Sequence, residues 1–220
     1  MKFFLDTANL KSIEELSSLN FCSGVTTNPS LAFKEGADSY KQLINDIVNV
    51  MKPQSKPLSI EVFTNNPTLI YDEANKLMDT YQYENLYIKV PINYENLKII
   101  EKLKKINIKI NCTCVFTLPQ TLLCMQSEVD IISLFYNRIK DSGRDPNYII
   151  KVASKKIFDL NFKSEILLGS IRYLKDIEDG AEFGAHIVTI PPKLFIESAT
   201  DDGSNDSIEK FMLDVKKIKL

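Results

Sequence analysis

The sequence predicts an α/β fold, a closed parallel (β/α)8 TIM barrel with an extra C-terminal helix. Short apolar segments of strand length alternate eight times with longer segments of helical periodicity. A doubly wound open sheet is the competing arrangement. The chain has seven glycines and no G-x-G-x-x-G turn, so the nucleotide-binding form of that sheet has no support.

The candidate strands are short apolar runs, and each is followed by a segment with helical spacing. They cover residues 2–6, 24–27, 58–63, 86–91, 109–116, 130–135, 165–170 and 186–191. Helix-start signals follow several of them. These signals are Asn9, Asn93, Asn66 before Pro67, and the capping boxes Thr117 to Gln120 and Asp206 to Glu209.

Domain organisation is simple, because no linker interrupts residues 1–199, which we assign to one barrel domain. Residues 141–161 read as polar and irregular, and no element is predicted there. Residues 200–205 form a polar break, and the chain ends in a helix with an apolar stripe from Ile208 to Ile218. Two packings suit this stripe: against its own barrel, or on a neighbouring subunit.

Composition excludes several classes of function. A formal net charge of -2 gives no surface for nucleic acid or an acidic membrane. No signal peptide or membrane-length apolar run is present, so a cytoplasmic protein is expected. The four cysteines have no zinc-like spacing, and neither a metal nor a cofactor is expected. His186, the single histidine, is more typical of a structural residue than of a base.

Lys89 is the most informative residue, because it interrupts an otherwise apolar strand at residues 86–91. Burying an ammonium group without a partner is costly, so a buried lysine tends to become neutral. A neutral amine is a nucleophile for carbonyl carbon. The alternative is a lysine on an edge strand whose head reaches water.

Other candidate strands also carry polar residues near their C-terminal ends, where active sites of such barrels lie. Alternation of side chains selects Asp6, Glu61, Asn111, Thr113, Ser133, Phe135, Ser170 and Arg172. Each has an ordinary alternative explanation. Asp6 suits a helix cap, Glu61 a solvent-facing position, and Asn111 and Thr113 suit turns.

The combination of these residues indicates a reaction. Lys89 with Asp6 and Glu61 supplies a nucleophile and two proton-transfer groups. Arg138 and Arg172, near later strand ends, supply a clamp for a dianion. The pattern indicates Schiff-base chemistry on a phosphorylated carbonyl compound, in which an iminium ion on the lysine is the electron sink and no cofactor is needed.

Six blocks of sequence, in order and spanning residues 1 to about 195, resemble the transaldolase family. The resemblance is strongest to its short branch, which also contains fructose-6-phosphate aldolases. The blocks are Phe4-Leu5-Asp6-Thr7-Ala8-Asn9, Gly24-Val25-Thr26-Thr27-Asn28-Pro29-Ser30, Glu61-Val62, Tyr87-Ile88-Lys89-Val90-Pro91, Asn111-Cys112-Thr113-Cys114-Val115-Phe116 and Gly169-Ser170-Ile171-Arg172.

The resemblance implies a (β/α)8 barrel that transfers a dihydroxyacetone unit between sugar phosphates in the pentose phosphate pathway. It implies that Lys89 forms the Schiff base and that Asp6 takes the proton of the donor's C4 hydroxyl. It further implies that Glu61 with Thr113 holds the water of imine formation. The implied substrate-binding residues are Asn28, Asn111 and Ser133 for hydroxyl groups, with Phe135 beside them, and Arg138, Ser170 and Arg172 for phosphate.

Two positions separate the activities within the family, and both favour transaldolase over an aldolase that releases free dihydroxyacetone. The aldolases carry glutamine in place of Glu61 and tyrosine in place of Phe135, whereas Tyr136 here follows one residue late. Residues 133–138 depart from the usual Ser-Pro-Phe-Val-Gly-Arg, which leaves the placement of Arg138 open. A non-catalytic sugar-phosphate-binding protein is a third alternative. Short members often form pentamers or decamers, so a homo-oligomer is expected.

Overall fold

A computed structural model describes residues 1–64 and 66–218. Within them, eight parallel strands close into a barrel in sequence order, with β1 paired to both β2 and β8. The strands are β1 Lys2–Asp6, β2 Gly24–Thr26, β3 Leu58–Glu61, β4 Leu86–Pro91, β5 Ile110–Val115, β6 Ile131–Phe135, β7 Glu165–Gly169 and β8 Ile187–Ile190. The predicted (β/α)8 barrel is confirmed.

Helices follow every strand on the outside of the barrel. They are α1 Leu10–Ser17, α2 Pro29–Lys34, α3 Tyr40–Met51, α4 Pro67–Tyr81, α5 Tyr94–Lys105, α6 Leu118–Gln126, α7 Tyr136–Asp141, α8 Pro146–Asp159, α9 Leu174–Glu182, α10 Pro192–Glu197 and α11 Asp202–Val215. A short 3-10 turn, Lys52–Gln54, follows α3. The predicted caps Asn9, Asn66, Asn93 and Thr117 are confirmed, because each side chain accepts a backbone N–H of its helix.

Two predictions about local structure are wrong. Asp206 does not cap the last helix, because Asp201 accepts from the backbone N–H of Ser204 and α11 already begins at Asp202. Residues 141–161 are not irregular, because they contain α8. Its buried side chains recur at helical spacing and pack toward the barrel: Ile149, Ile150, Ala153 and Ile157.

The barrel interior has an apolar floor and a polar upper layer. Phe4, Ile131, Leu167 and Ile187 form the floor, with Tyr87 packed against them. A Cβ on Gly24 would lie 2.7 Å from the Phe4 ring, so glycine makes room for that ring. The floor closes the barrel below, and the cavity therefore opens at the C-terminal ends of the strands.

The last helix, α11, lies outside the barrel layers. None of its residues is buried, and its exposed side chains include Ile208, Phe211, Met212 and Val215. The stripe therefore does not pack back on its own barrel. Lys219 and Leu220, the end of the predicted segment, lie outside the described residues. Among the helices of residues 1–64 and 66–218, none has the length and apolar character needed to cross a membrane.

Candidate active site

Lys89 lies inside the barrel, with 5 % of its surface exposed. Its Nζ is 3.2 Å from Glu61 Oε2 and donates a hydrogen bond of 3.0 Å to the backbone oxygen of Thr27. The register explains the ion pair, because Glu61 and Lys89 are direct neighbours on β3 and β4. Lys89 is therefore buried as the sequence predicts, but it has a carboxylate partner and is not an isolated ammonium group.

Asp6 ends β1 on the wall of the same cavity. Burial raises the pKa of its carboxyl group, and the nearby Glu61 charge raises it further. The charge of Lys89, the hydrogen bond from Thr26 and the charge of Lys34 lower the pKa of Asp6. The net effect is a raised pKa, so this carboxyl group is suited to exchanging a proton with a substrate.

Three polar side chains, one each from β3, β5 and β6, form a connected layer beside Lys89 on β4. Ser133 Oγ donates to Asn111 Oδ1 at 2.6 Å, and Asn111 Nδ2 donates to Ser59 Oγ at 3.1 Å. Thr113 is fully buried, and its hydroxyl has no hydrogen-bond partner in the described part of the chain. These groups are presented to the interior rather than serving as surface turn residues.

A cavity of about 90 Å³ joins these groups at the barrel mouth. Its lining comprises Asp6, Thr26, Asn28, Lys89, Thr113, Ser133, Phe135, Arg138, Leu167, Gly169, Ser170 and Thr189. Eight of the eleven site residues predicted from sequence line it. Glu61 and Asn111 do not line the cavity but contact residues that do: Glu61 forms an ion pair with Lys89, and Asn111 accepts a hydrogen bond from Ser133.

Arg172 is the predicted site residue that the structure holds away from the cavity. Its guanidinium group binds both oxygens of Asp141, at 3.1 and 2.6 Å, and the pair is exposed. Strand alternation does not extend to Arg172, because β7 ends at Gly169 and Ser170 turns the chain with a φ of 59°. Arg138 does line the cavity, with its guanidinium carbon 4.8 Å from the centre of the Phe135 ring.

A buried carboxylate, Asp176, connects the two segments that carry the arginines. Its Oδ2 accepts from Asn137 Nδ2 at 2.6 Å and from the backbone N–H groups of Arg172 and Tyr173 at 3.0 Å. Asn137 also donates to the backbone oxygen of Ser170 at 2.9 Å. The start of α7 and the loop after β7 are thus held against one another.

Two polar side chains of the cavity lining were not assigned a role from sequence: Thr26 and Thr189. Thr26 Oγ1 lies 2.8 Å from Asp6 Oδ1 and 2.7 Å from Thr189 Oγ1. The signal was available, because each is a polar residue at an inward position of an apolar strand. Threonine is common in strands, however, and this ordinary explanation hid the pattern.

Other candidate groups lie apart from the cavity. His186 Nδ1 accepts the backbone N–H of Ile166 near the N-terminal ends of the strands, so the structural interpretation is confirmed. Tyr136 is buried with its hydroxyl bonded to Asn147 and Asp179, away from the cavity as predicted. Residues 1–64 and 66–218 contain no group of three His, Cys, Asp or Glu side chains placed to hold a metal ion.

The fold and the site together define a class: a (β/α)8 barrel with a buried lysine between two carboxyl groups at the C-terminal ends of its strands. A solved structure of a thiamine phosphate pyrophosphorylase from Pyrococcus furiosus is similar in fold alone. Its TM-score is 0.60 at 9% identity, covering 86% of this chain and 85% of that chain.

Sequence comparison identifies the family. The family model described as Transaldolase/Fructose-6-phosphate aldolase matches residues 3–220, and the chain belongs to this family of enzymes. It is similar to a "Probable transaldolase" of Methanococcus vannielii, with 37% identity over 97% of both chains. It is also 37% identical to a "Probable transaldolase 2" of Listeria monocytogenes, covering 97% of this chain and 95% of the relative.

Proposed function

We propose that the protein acts as a transaldolase of the pentose phosphate pathway. In this reaction a dihydroxyacetone unit moves reversibly from sedoheptulose 7-phosphate or fructose 6-phosphate to glyceraldehyde 3-phosphate or erythrose 4-phosphate. One observation carries the proposal: a buried lysine amine lies 3.2 Å from Glu61 and shares a cavity with Asp6.

The first steps use Lys89 and Glu61. The amine loses a proton to Glu61 and adds to the C2 carbonyl of the donor, and the resulting carbinolamine loses water to give an iminium ion. The 3.2 Å contact between Glu61 Oε2 and Lys89 Nζ supports this role. The Thr113 hydroxyl has no hydrogen-bond partner among the described residues, so it can bind the water that this step releases.

Carbon–carbon cleavage uses Asp6. Its carboxylate accepts the proton of the C4 hydroxyl as the C3–C4 bond breaks, which leaves an enamine on Lys89 and releases an aldose phosphate. The enamine then attacks the acceptor aldehyde, and Asp6 returns its proton to the new hydroxyl group. A raised pKa suits Asp6 to both directions of transfer.

Substrate binding is proposed for the remaining polar groups. Asn28, Asn111 and Ser133 bind the hydroxyl groups of the donor, beside the ring of Phe135. Arg138 and Ser170 bind phosphate at the cavity edge. Arg172 joins them by exchanging its exposed contact with Asp141 for the phosphate group.

Borohydride trapping tests the central step. Incubation with fructose 6-phosphate and sodium borohydride should give a covalent adduct that peptide mapping locates on Lys89. Lys89→Met should abolish the adduct. Lys104→Met is the matched control, because Lys104 also pairs with a carboxylate, Asp130 at 2.6 Å, on the outside of the barrel. An adduct that survives Lys89→Met, or none in the wild type, contradicts the mechanism.

The acceptor dependence of the reaction separates transferase from aldolase. Product formation from fructose 6-phosphate should require erythrose 4-phosphate. Glu61 and Phe135, which stand where the aldolases of the family carry glutamine and tyrosine, support this expectation. Release of free dihydroxyacetone at a comparable rate without acceptor would identify an aldolase instead.

We further propose that the protein works in the cytoplasm as a homo-oligomer, a pentamer or decamer, in which α11 docks on a neighbouring copy. Its four free cysteines suit a reducing compartment. The exposed apolar stripe of α11, with Phe211 at 65% exposure, supports docking. Phe211→Asp should lower the mass measured by light scattering, whereas Lys210→Asp, on the same helix, should not. A monomeric wild type would refute this proposal.

A further inference from the structure

Thr26 and Thr189 form a chain of hydroxyl groups that ends on Asp6. They lie on β2 and β8, the two neighbours of β1, with Thr26 opposite Asp6 and Thr189 opposite Phe4. The oxygen of Thr26 is 2.8 Å from Asp6 Oδ1 and 2.7 Å from Thr189 Oγ1. Both threonines are almost fully buried, at 2% and 3% exposure, and all three residues line the cavity.

The hydrogen count fixes the direction of this chain. A hydroxyl group has one hydrogen, and an ionised carboxylate can only accept. When Asp6 is ionised, Thr26 therefore donates to Asp6 and Thr189 donates to Thr26. When Asp6 carries a proton, it can donate to Thr26, Thr26 then turns to Thr189, and the hydrogen of Thr189 points into the cavity. Only rotations about C–O bonds are needed, and no covalent bond breaks.

We propose that Thr189 is a positioning residue for proton transfer by Asp6, acting through Thr26, an inference that rests on the proposed function. The two threonine hydroxyl groups hold the Asp6 carboxylate in one orientation until the C4 hydroxyl of the donor binds. The direction of the chain reverses when Asp6 is protonated, so both states keep their hydrogen bonds. In a buried network such bonds polarise one another, so Thr189 strengthens the bond from Thr26 to the carboxylate.

The surroundings of Asp6 make this support necessary. Burial raises its pKa, Glu61 on β3 raises it, and Lys89 on β4 and Lys34 on α2 lower it. The bond from Thr26 is a further influence that lowers the pKa. Loss of Thr189 should weaken that bond and raise the pKa of Asp6, so a smaller fraction would be ionised at acidic pH.

The test compares Thr189→Val, Thr189→Ser and Thr26→Val with the wild type in the transfer from fructose 6-phosphate to erythrose 4-phosphate across pH. Thr189→Val should lower kcat roughly two- to tenfold, the effect of one lost hydrogen bond, with little change in KM. The acidic limb of its pH profile should move to higher pH. Thr26→Val should have the larger effect, and Thr189→Ser should restore the wild-type profile.

Thr121→Val is the matched control, because Thr121 is equally buried on α6, and among the described residues its hydroxyl bonds only to the backbone oxygen of Thr117. A Thr189→Val profile that coincides with that of Thr121→Val overturns the inference. A Thr189→Ser variant as impaired as Thr189→Val also overturns it, because packing would then be the role. Borohydride trapping separates the two proposals: no adduct in the wild type removes the proposed function, whereas normal trapping with an unchanged Thr189→Val removes only the hydroxyl chain.

Discussion

Replacement of Lys89 by methionine should cost stability through the carboxylates that the lysine leaves behind. The Glu61 side chain keeps 17% exposure and loses a cation at 3.2 Å. Removal of one partner from a fully buried pair costs about 3–5 kcal/mol, and the partial solvent exposure of the Glu61 side chain lowers this to about 2–4 kcal/mol. The double variant Lys89→Met, Glu61→Gln has no unpaired charge at this position and should stay within about 1 kcal/mol of the wild type.

The loss of folding stability in the single variant Lys89→Met should depend on pH. Lys89 is the largest influence that lowers the pKa of Asp6, so its removal raises that pKa further. An acid whose pKa is higher in the folded state destabilises the fold above that pKa, and this destabilisation disappears as the pH falls from the folded-state pKa to the unfolded-state pKa, about 3.9 for aspartate. Urea denaturation at several pH values from pH 7 to about pH 4 should show the loss of folding stability shrinking in acid. Equal losses in the single and double variants would refute the reasoning and point to lost packing.

Three further predictions concern other parts of the molecule. Arg172→Ala should raise KM for a phosphorylated donor roughly ten- to a hundredfold more than it raises KM for an unphosphorylated donor. Steady-state kinetics with both donors measure this difference, and equal changes in the two KM values would contradict the phosphate-binding role. Burial lowers the pKa of His186, whose neutral form accepts from Ile166, so folding stability should fall below about pH 6.5. Denaturation of His186→Asn should show less of this acid sensitivity, and an identical pH dependence would argue against it. Gly24→Ala should lower stability by about 1–3 kcal/mol, because its Cβ meets the Phe4 ring at 2.7 Å; an unchanged melting temperature would contradict this.

Periodicity predicted the barrel because each strand is an apolar run between polar helix starts. The bounds of β1 and β4 are those expected, and the other six strands lie within the predicted ranges but are shorter. Their ends depend on backbone turns that residue type does not reveal. The positive φ of Ser170 ends the alternation after β7, and Cys114, with a φ of 58°, lies within a register shift of β5.

The site was predictable where an unusual residue stood in an apolar strand. Lys89, Asp6 and Glu61 are of this kind, and the structure brings them together. The ion pair of Lys89 was not predicted, because it depends on the register between β3 and β4. Thr189 was not predicted, because threonine is common in strands and its presence there does not by itself indicate a site. The alternation of side chains nevertheless places it on the inward face, as it does the predicted residues.

Asp176 makes one mechanical unit of two chain segments that are distant in sequence. The same oxygen, Asp176 Oδ2, accepts from Asn137 at the start of α7 and from the backbone N–H groups of Arg172 and Tyr173 after β7. Neither segment can therefore shift without breaking a bond that links it to the other. An engineer who wishes to reshape this rim for a larger or uncharged sugar must therefore redesign both segments at once. Substitution of Asn137 alone would remove its side-chain bond to Asp176, while the backbone N–H groups of Arg172 and Tyr173 would still hold the buried Asp176 carboxylate.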